Sequence, residues 1–401
     1  MQLVAYGAQD VYLTGDPEIT FFKAIYRRHT NFSVEAIAQV FNGTTGFGRK
    51  ATVTVSRNGD LITNTYLEVK LPELPKESNG TAKWKWNNNI GHNLIQEVEL
   101  EIGGQRIDRH YGEWLDIWSE LSLPHEKKKM FDSNMIGRVN SKGALSGDAR
   151  TLYIPLQFFF NRNQGLALPL IALQYHEVKL NFTFRPLTEL CHPIGSQGSR
   201  PDDVRDPEMS LYIDYVYLDT DERKRFAQSQ HELLVEQLQF TGDETPMVNG
   251  SYKLNFNHPV KELVWVVHQP KDWDKFNYGE AGEEPVIDAN LQLNGHERFD
   301  KREGSYFRLV QPFQHHTAIP EKQIYVYSFA VKPEEHQPSG SCNFSRIDNA
   351  TLKLSLAHTA KSETSKVTND TFGPDHKVKI FATSVNVLRI LSGMGGLAYS
   401  N

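Results

Sequence analysis

Cysteine is almost missing from this chain: Cys191 and Cys342 are the only two in 401 residues. Two cysteines exclude a disulfide framework and stand at no metal-ligand spacing, so a reducing compartment such as cytosol is the expected setting. Long apolar runs are missing too, none approaching the ~18 residues of a membrane span. The first residues, Met1 to Gly7, lack the basic start and apolar core of a secretory signal. Sequons such as Asn31, Asn181 and Asn349 therefore read as chance matches. Basic charge is not in excess. Lys and Arg total 43 against 49 Asp and Glu, a net charge of −6, which argues against a protein that mainly coats nucleic acid and leaves room only for local basic patches.

Catalytic signatures are missing as well. Gly43 to Lys50 has the two glycines of a phosphate loop, but Arg49 replaces its lysine, Lys50 its Ser or Thr, and a strand pattern follows where a helix is required. There is no G-x-S-x-G, H-E-x-x-H or C-x-x-C. His315 and His316 are adjacent, which in a strand sends them to opposite faces, and no third ligand is spaced to join them. Glu97, Glu99 and Glu101 share one strand face, read as solvated, and lack the paired geometry of glycosidase carboxylates. No enzyme, cofactor or metal is expected.

What the chain has is β-sheet vocabulary. The 16 Tyr and 22 Phe favour strands. In Glu97-Val98-Glu99-Leu100-Glu101-Ile102 apolar and acidic residues alternate, Gly103-Gly104 supplies a two-residue hairpin turn, and Gln105-Arg106-Ile107-Asp108 returns. A second version follows: Ala289 to Leu293, the turn Asn294-Gly295, then His296 to Asp300. Asp300 stands 192 residues after Asp108. Other matches keep the same order, Leu152-Tyr153-Ile154 with Ile324-Tyr325-Val326 and Val178-Lys179-Leu180 with Leu352-Lys353-Leu354. The β unit reads as built twice. Short strands, long loops and no βαβ rhythm indicate antiparallel sandwiches.

Helical signals are few. Asp16 as N-cap, Pro17 at the first position and apolar Ile19, Phe22, Ile25 and Tyr26 predict a short amphipathic helix, with Lys23, Arg27 and Arg28 crowding its C-terminal turn. It reads either as a plug for the first domain or as an arm that docks on a neighbour or an anionic surface. Gly112 to Leu121 has apolar residues at helix-like steps, and 125–150 reads as a polar loop. The charged run from Asp219 reads as a helix to about 237. The expected organisation is an arm at 1–35, a first domain at 36–218, a linker helix at 219–239 and a second domain with a C-terminal tail at 240–401.

The residues Gly7-Ala8-Gln9-Asp10-Val11-Tyr12-Leu13-Thr14-Gly15, Thr20-Phe21-Phe22-Lys23 and Tyr26-Arg27-Arg28-His29-Thr30-Asn31-Phe32 closely resemble the start of the major capsid proteins of nucleocytoplasmic large DNA viruses. So do Ile90-Gly91-His92, Ile102 to Asp108, Gly112-Glu113-Trp114, Leu218 to Arg223 and the terminal Ser392 to Asn401. The resemblance implies an all-β tandem double jelly roll, two eight-stranded antiparallel sandwiches with short helices in arm, loops and linker. It implies a homotrimer whose six rolls form a pseudo-hexagonal tile of an icosahedral shell, with neighbouring capsomers and minor capsid proteins as partners. Location in the virion, assembly in host cytoplasm and no direct nucleic-acid contact go with it. The arm residues Phe21, Phe22, Lys23, Arg27 and Arg28 would then lie on the inner side, near minor capsid proteins or the inner viral membrane. Gly103, Gly104, Asn294 and Gly295 would be structural turns, one pair per roll. A minor capsid or scaffolding protein of the same fold, separable by abundance in particles, and a glycan-binding jelly roll remain alternatives.

Overall fold

The computed structural model describes residues 7–21, 24, 26–76, 83–138, 147–194, 201, 204–279, 284–357, 372 and 374–399. Among the described residues, sixteen strands carry the fold. The first eight are β1 (Phe32–Gln39), β2 (Lys50–Thr54), β3 (Leu61–Leu71), β4 (Ile95–Ile102), β5 (Gln105–Tyr111), β6 (Arg150–Pro155), β7 (Val178–Phe184) and β8 (Glu208–Leu218). The second eight are β9 (His231–Glu244), β10 (Asn249–Lys253), β11 (Pro259–His268), β12 (Val286–Leu293), β13 (His296–Glu297), β14 (Ile324–Ser328), β15 (Ala350–Leu356) and β16 (Lys377–Leu391).

The first set forms antiparallel sheets in the orders β1-β8-β3-β6 and β2-β7-β4-β5. The second set forms β9-β16-β11-β14 and β10-β15-β12-β13. Adding eight to each label of the first pair of sheets gives the second pair, so the chain is a jelly roll made twice. Alternation explains the sandwich: in β7 Val178, Leu180, Phe182 and Phe184 are buried while Lys179, Asn181 and Thr183 are half-exposed. Each roll has its own apolar core, one containing Val98, Leu100 and Ile102, the other Ala289, Leu291 and Leu293.

Both hairpin turns have positive φ at their two central residues, +59° and +85° at Gly103-Gly104 and +52° and +78° at Asn294-Gly295. That is the geometry that matches strand twist and that glycine and asparagine tolerate. Their surroundings differ. The first turn lies under a short strand, β17 (Met394–Leu397), which pairs with β16 and whose Leu397 N–H donates to Gln105 Oε1 at 3.1 Å. So the glycine-rich tail is itself a strand.

Several expectations need correction. Among its described residues the arm has one four-residue helix, α1 (Val11–Thr14), and those of 16–31 are not helical. The described members of the apolar stripe, Ile19 and Tyr26, are 87% and 85% exposed, and a short helix is marginal without a buried face. The charged linker is helical only as Thr220–Gln228, capped by Asp219, whose carboxylate accepts from Glu222 N–H at 2.9 Å. Beyond it 231–244 is the strand β9, because pairing with β16 along its length outweighs its helical composition. Within 125–150 the chain forms a helix, His125–Met130, and a π-helical turn, Phe131–Ile136, held by the buried side chains of Lys128, Phe131 and Ile136. The tyrosines Tyr153 and Tyr325 do not correspond: Tyr325 lies in the second core, whereas Tyr153 faces outward and is 41% exposed.

Candidate assembly site

The two rolls meet on one helix, α2 (Gly112–Ser122), which leaves β5 and is capped by the extended Tyr111. Gly112 is required by close approach: a Cβ there would fall 2.1 Å from the His92 carbonyl oxygen and 2.2 Å from that of Ile95. The helix has two apolar faces. Leu115 enters the first-roll core. Trp114, Ile117, Trp118 and Leu121 pack on the outer face of the second roll, against Val264 and Val266 of β11, Ile324 and Val326 of β14, and Phe381 of β16. Each such side chain contributes about 1.5–3 kcal/mol by leaving water.

Between these faces runs a buried acidic row, Glu113, Asp116 and Glu120, at helical steps of three and four. Glu113 reaches the second roll twice, to Lys379 Nζ at 2.5 Å and His268 Nδ1 at 2.8 Å. Burial alone would raise its carboxyl pKa, but Lys379 and His268 outweigh that and hold it well below the usual range. Asp116 accepts from Lys322 Nζ at 2.9 Å, from the Tyr278 hydroxyl at 3.3 Å, and from Asn89 and Arg138. Glu120 pairs with Lys128 at 2.7 Å and with Arg138, which also meets Asp132 at 3.3 Å. Burial lowers Lys322 to about 8 and Arg138 to about 10, while burial and Glu120 raise Asp132 to about 7. Buried pairs add little net stability against well-packed apolar residues, yet breaking one is expensive. Those that cross between the rolls, Glu113 with Lys379 and His268 and Asp116 with Lys322, tie α2 to the second roll.

A second ionic cluster lies on the same sheet. His316 Nε2 is 2.8 Å from Glu262 Oε2 and its Nδ1 is 2.8 Å from Glu334 Oε1. Burial lowers the imidazole's pKa, but the two glutamates more than reverse it and raise it to about 9. At the far end of the junction Val235, Leu388 and Ile390 of the second roll's longest strands join the first-roll core.

The arm residues are placed apart from all of this. Phe21 is 93% exposed, Arg27 and Arg28 are exposed, and Phe22 and Lys23 lie outside the described residues. The glutamate face of β4 is half-buried and paired, not simply solvated: Glu99 meets Arg109 at 2.5 Å, Glu101 accepts from Asn181 at 3.1 Å, and Glu97 from Thr183 at 3.2 Å. Sequence reasoning missed the junction. The legible sign was a helix with two tryptophans, Trp114 and Trp118, on one side and an acidic row, Glu113, Asp116 and Glu120, on the other. Among the described residues no group of three or more His, Cys, Asp or Glu could hold a metal ion, and no helix is long and apolar enough to cross a membrane.

Comparison with known proteins turns this geometry into a family. Residues 20–219 match "Major capsid protein N-terminus" and residues 222–396 match "Large eukaryotic DNA virus major capsid protein". The chain belongs to the major capsid protein family of large eukaryotic DNA viruses. It is 50% identical over 429 residues to the major capsid protein of Pyramimonas orientalis virus, covering 100% of this chain and 99% of that one. Against the major capsid protein of Paramecium bursaria Chlorella virus 1 it is 45% identical over 443 residues, with the same coverage. The crystal structure of PBCV-1 Vp54 superposes with a TM-score of 0.81 at 40% identity, over 95% of this chain and 100% of that one. The Faustovirus major capsid protein, at 12% identity and a TM-score of 0.74 over 96% and 94% of the chains, shares the fold. As a major capsid protein the chain is a structural component of a virus shell, built as a double jelly roll.

Proposed function

We propose that three copies of this major capsid protein associate into a pseudo-hexagonal capsomer, and that its work is assembly without catalysis. The observation that carries this is the duplication itself: two rolls of one strand order, locked by a buried helix, in one chain. Three chains then present six similar units around one axis, and six units tile a plane where three would make a triangle. Native mass spectrometry of the full chain tests it. The expected species is three times 45.8 kDa, and a monomer at micromolar concentration overturns the reading.

The arm is the second element of the proposal. Residues 7–31 expose Tyr12, Ile19, Phe21 and Tyr26 beside Arg27 and Arg28, a surface fitted to minor capsid proteins or an anionic inner membrane. In this reading particles assemble in host cytoplasm, neighbouring capsomers meet edge to edge, and nucleic acid is not contacted. Reversing the charge of Arg27 and Arg28 is expected to impair particle assembly or membrane apposition while leaving capsomers intact. Unchanged particles would remove the arm's role.

A further inference from the structure

The internal repeat extends past the hairpins into the segments that follow them. Gly304 stands 192 residues after Gly112, the interval that separates Asp300 from Asp108. Gly304 is held the same way: a Cβ on it would fall 2.0 Å from the carbonyl oxygen of Val286, the first residue of β12, as one on Gly112 would meet that of Ile95, the first residue of β4. At the same interval Leu115 corresponds to Phe307, and each is buried in its own roll's core. The four side chains with which α2 grips the second roll, Trp114, Ile117, Trp118 and Leu121, correspond to Tyr306, Leu309, Val310 and Phe313. Those last three are 39%, 39% and 74% exposed. The segment is folded, as a π-helical stretch (Tyr306–Val310) running into α3 (Gln311–His315). Three of the four side chains on its gripping face are exposed, and Tyr306 is half-buried against the second core.

The receiving face is repeated too. In the second roll α2 covers the outer side of β11, β14 and β16. The counterparts in the first roll are β3, β6 and β8, whose outer side carries Tyr66, Tyr153 and Tyr212. Tyr66 stacks on Tyr212 at 5.2 Å between centroids and meets Tyr153 edge-on at 6.3 Å. A cleft of about 450 Å³ opens between Tyr66, Tyr153 and Met135. Tyrosines that offer an apolar ring and a polar tip are characteristic of surfaces that are alternately wet and docked.

We propose that the segment 304–316 of one chain, through Leu309, Val310 and Phe313, docks on the tyrosine face of a second copy, as 112–122 docks on the second roll within the chain. Each chain then has one donor and one acceptor, a heterologous contact. The covalent junction and the intermolecular junction become equivalent steps round one ring. This assignment rests on the trimer reading and supplies its contact residues.

The test uses two full-length variants and native mass spectrometry. The donor variant is Leu309→Asp with Phe313→Asp; the acceptor variant is Tyr66→Asp with Tyr153→Asp. Each is expected to be a folded monomer by circular dichroism, its association weakened roughly 30-fold or more, as for loss of hot-spot residues. An equimolar mixture is expected to form a dimer and no trimer, because only one intact donor and one intact acceptor remain. A wild-type trimer with a donor variant that stays trimeric overturns the assignment, as does a mixture of folded variants that never pairs. A wild-type monomer instead overturns the trimer reading beneath it. If a variant fails to fold, Phe313→Cys with Tyr153→Cys in a Cys342→Ser background keeps the question open to decision. A short bismaleimide should link chains into a ladder ending at three. A trimeric sample with no interchain link sinks the proposal.

Discussion

Residues 16–28 and residues 112–122 carry similar local instructions, an extended or capping residue, an acid in the first turn and apolar side chains at steps of three and four, and they end in opposite states. The second is a helix with ten buried residues, Gly112 to Leu121. The first is not helical over its described residues, and Ile19, Phe21 and Tyr26 lie 85% exposed or more. The difference is a surface to dock on. Helix nucleation fixes several residues for one hydrogen bond, so a segment this short depends on burying a face. For 112–122 the face is supplied by Val264, Val266, Ile324, Val326 and Phe381 of the other roll. Among the described residues Ile19 and Tyr26 are left open to solvent, which suits a segment meant for another molecule.

Removing the dock should break this contrast most sharply. Trp114 is fully buried, with its ring 5.4 Å from that of Phe381. Trp114→Ala is expected to cost about 3–5 kcal/mol, read as a lower urea midpoint. The second roll should unfold separately from the first, giving two transitions where wild type gives one. A single transition at the wild-type midpoint would show that the rolls do not depend on this helix. Next is the cross-roll pair of Glu113 and Lys379. Lys379→Met leaves Glu113 buried with His268 alone and should cost about 3 kcal/mol. Adding Glu113→Gln to it should restore part of that loss, and a double-mutant cycle with no coupling would deny the pair its role.

Acid acts on the junction and alkali on the second ionic cluster, with opposite signs. The depressed Glu113 contributes stability that is present above the ordinary carboxylate range and lost as pH falls below it. His316 has the reverse sign. Its pKa is raised to about 9, so its contribution is whole below about 6.5 and disappears as pH rises toward 9. The amount is on the order of 3 kcal/mol. Thermal unfolding of wild type should therefore weaken between pH 6.5 and 9, and His316→Gln, which cannot gain a proton there, should flatten that slope. An unchanged slope would place the alkaline loss elsewhere.

The strands and their turns were legible because alternation and Gly-Gly or Asn-Gly pairs act over a few residues. The repeat was legible because the order of strands survives where loop lengths do not. Three things were not. The first half of the strand β9 reads as helix, to about 237, because His231 to Gln237 is rich in Glu, Gln and Leu, and only its partner β16, more than a hundred residues away, overrules that preference. The cross-roll pairing of the α2 acids is not legible because the second-roll cations Lys322 and Lys379 lie more than two hundred residues downstream. The arm fails in the other direction, since its local signals are intact and the missing term is tertiary. Local chemistry fixes turns and periods; it is silent on what a finished face will touch.

The smallest expected effect sharpens the comparison from the arm's side. Ile19→Asp, which would be ruinous on α2, should change the stability of the isolated chain by no more than about 0.5 kcal/mol, the range of an exposed substitution, because Ile19 is 87% exposed. The same variant should lose whatever helix the arm gains on docking. Circular dichroism of the full chain with anionic phospholipid vesicles is expected to show added helicity for wild type and less for Ile19→Asp, since an amphipathic helix at a lipid surface needs its apolar stripe. Neutral vesicles should give less for both, because Arg27 and Arg28 lose their counter-charge. Equal spectra for wild type and variant on anionic vesicles would mean that the arm's stripe is not what binds, and would return residues 16–28 to the status of an extended tether.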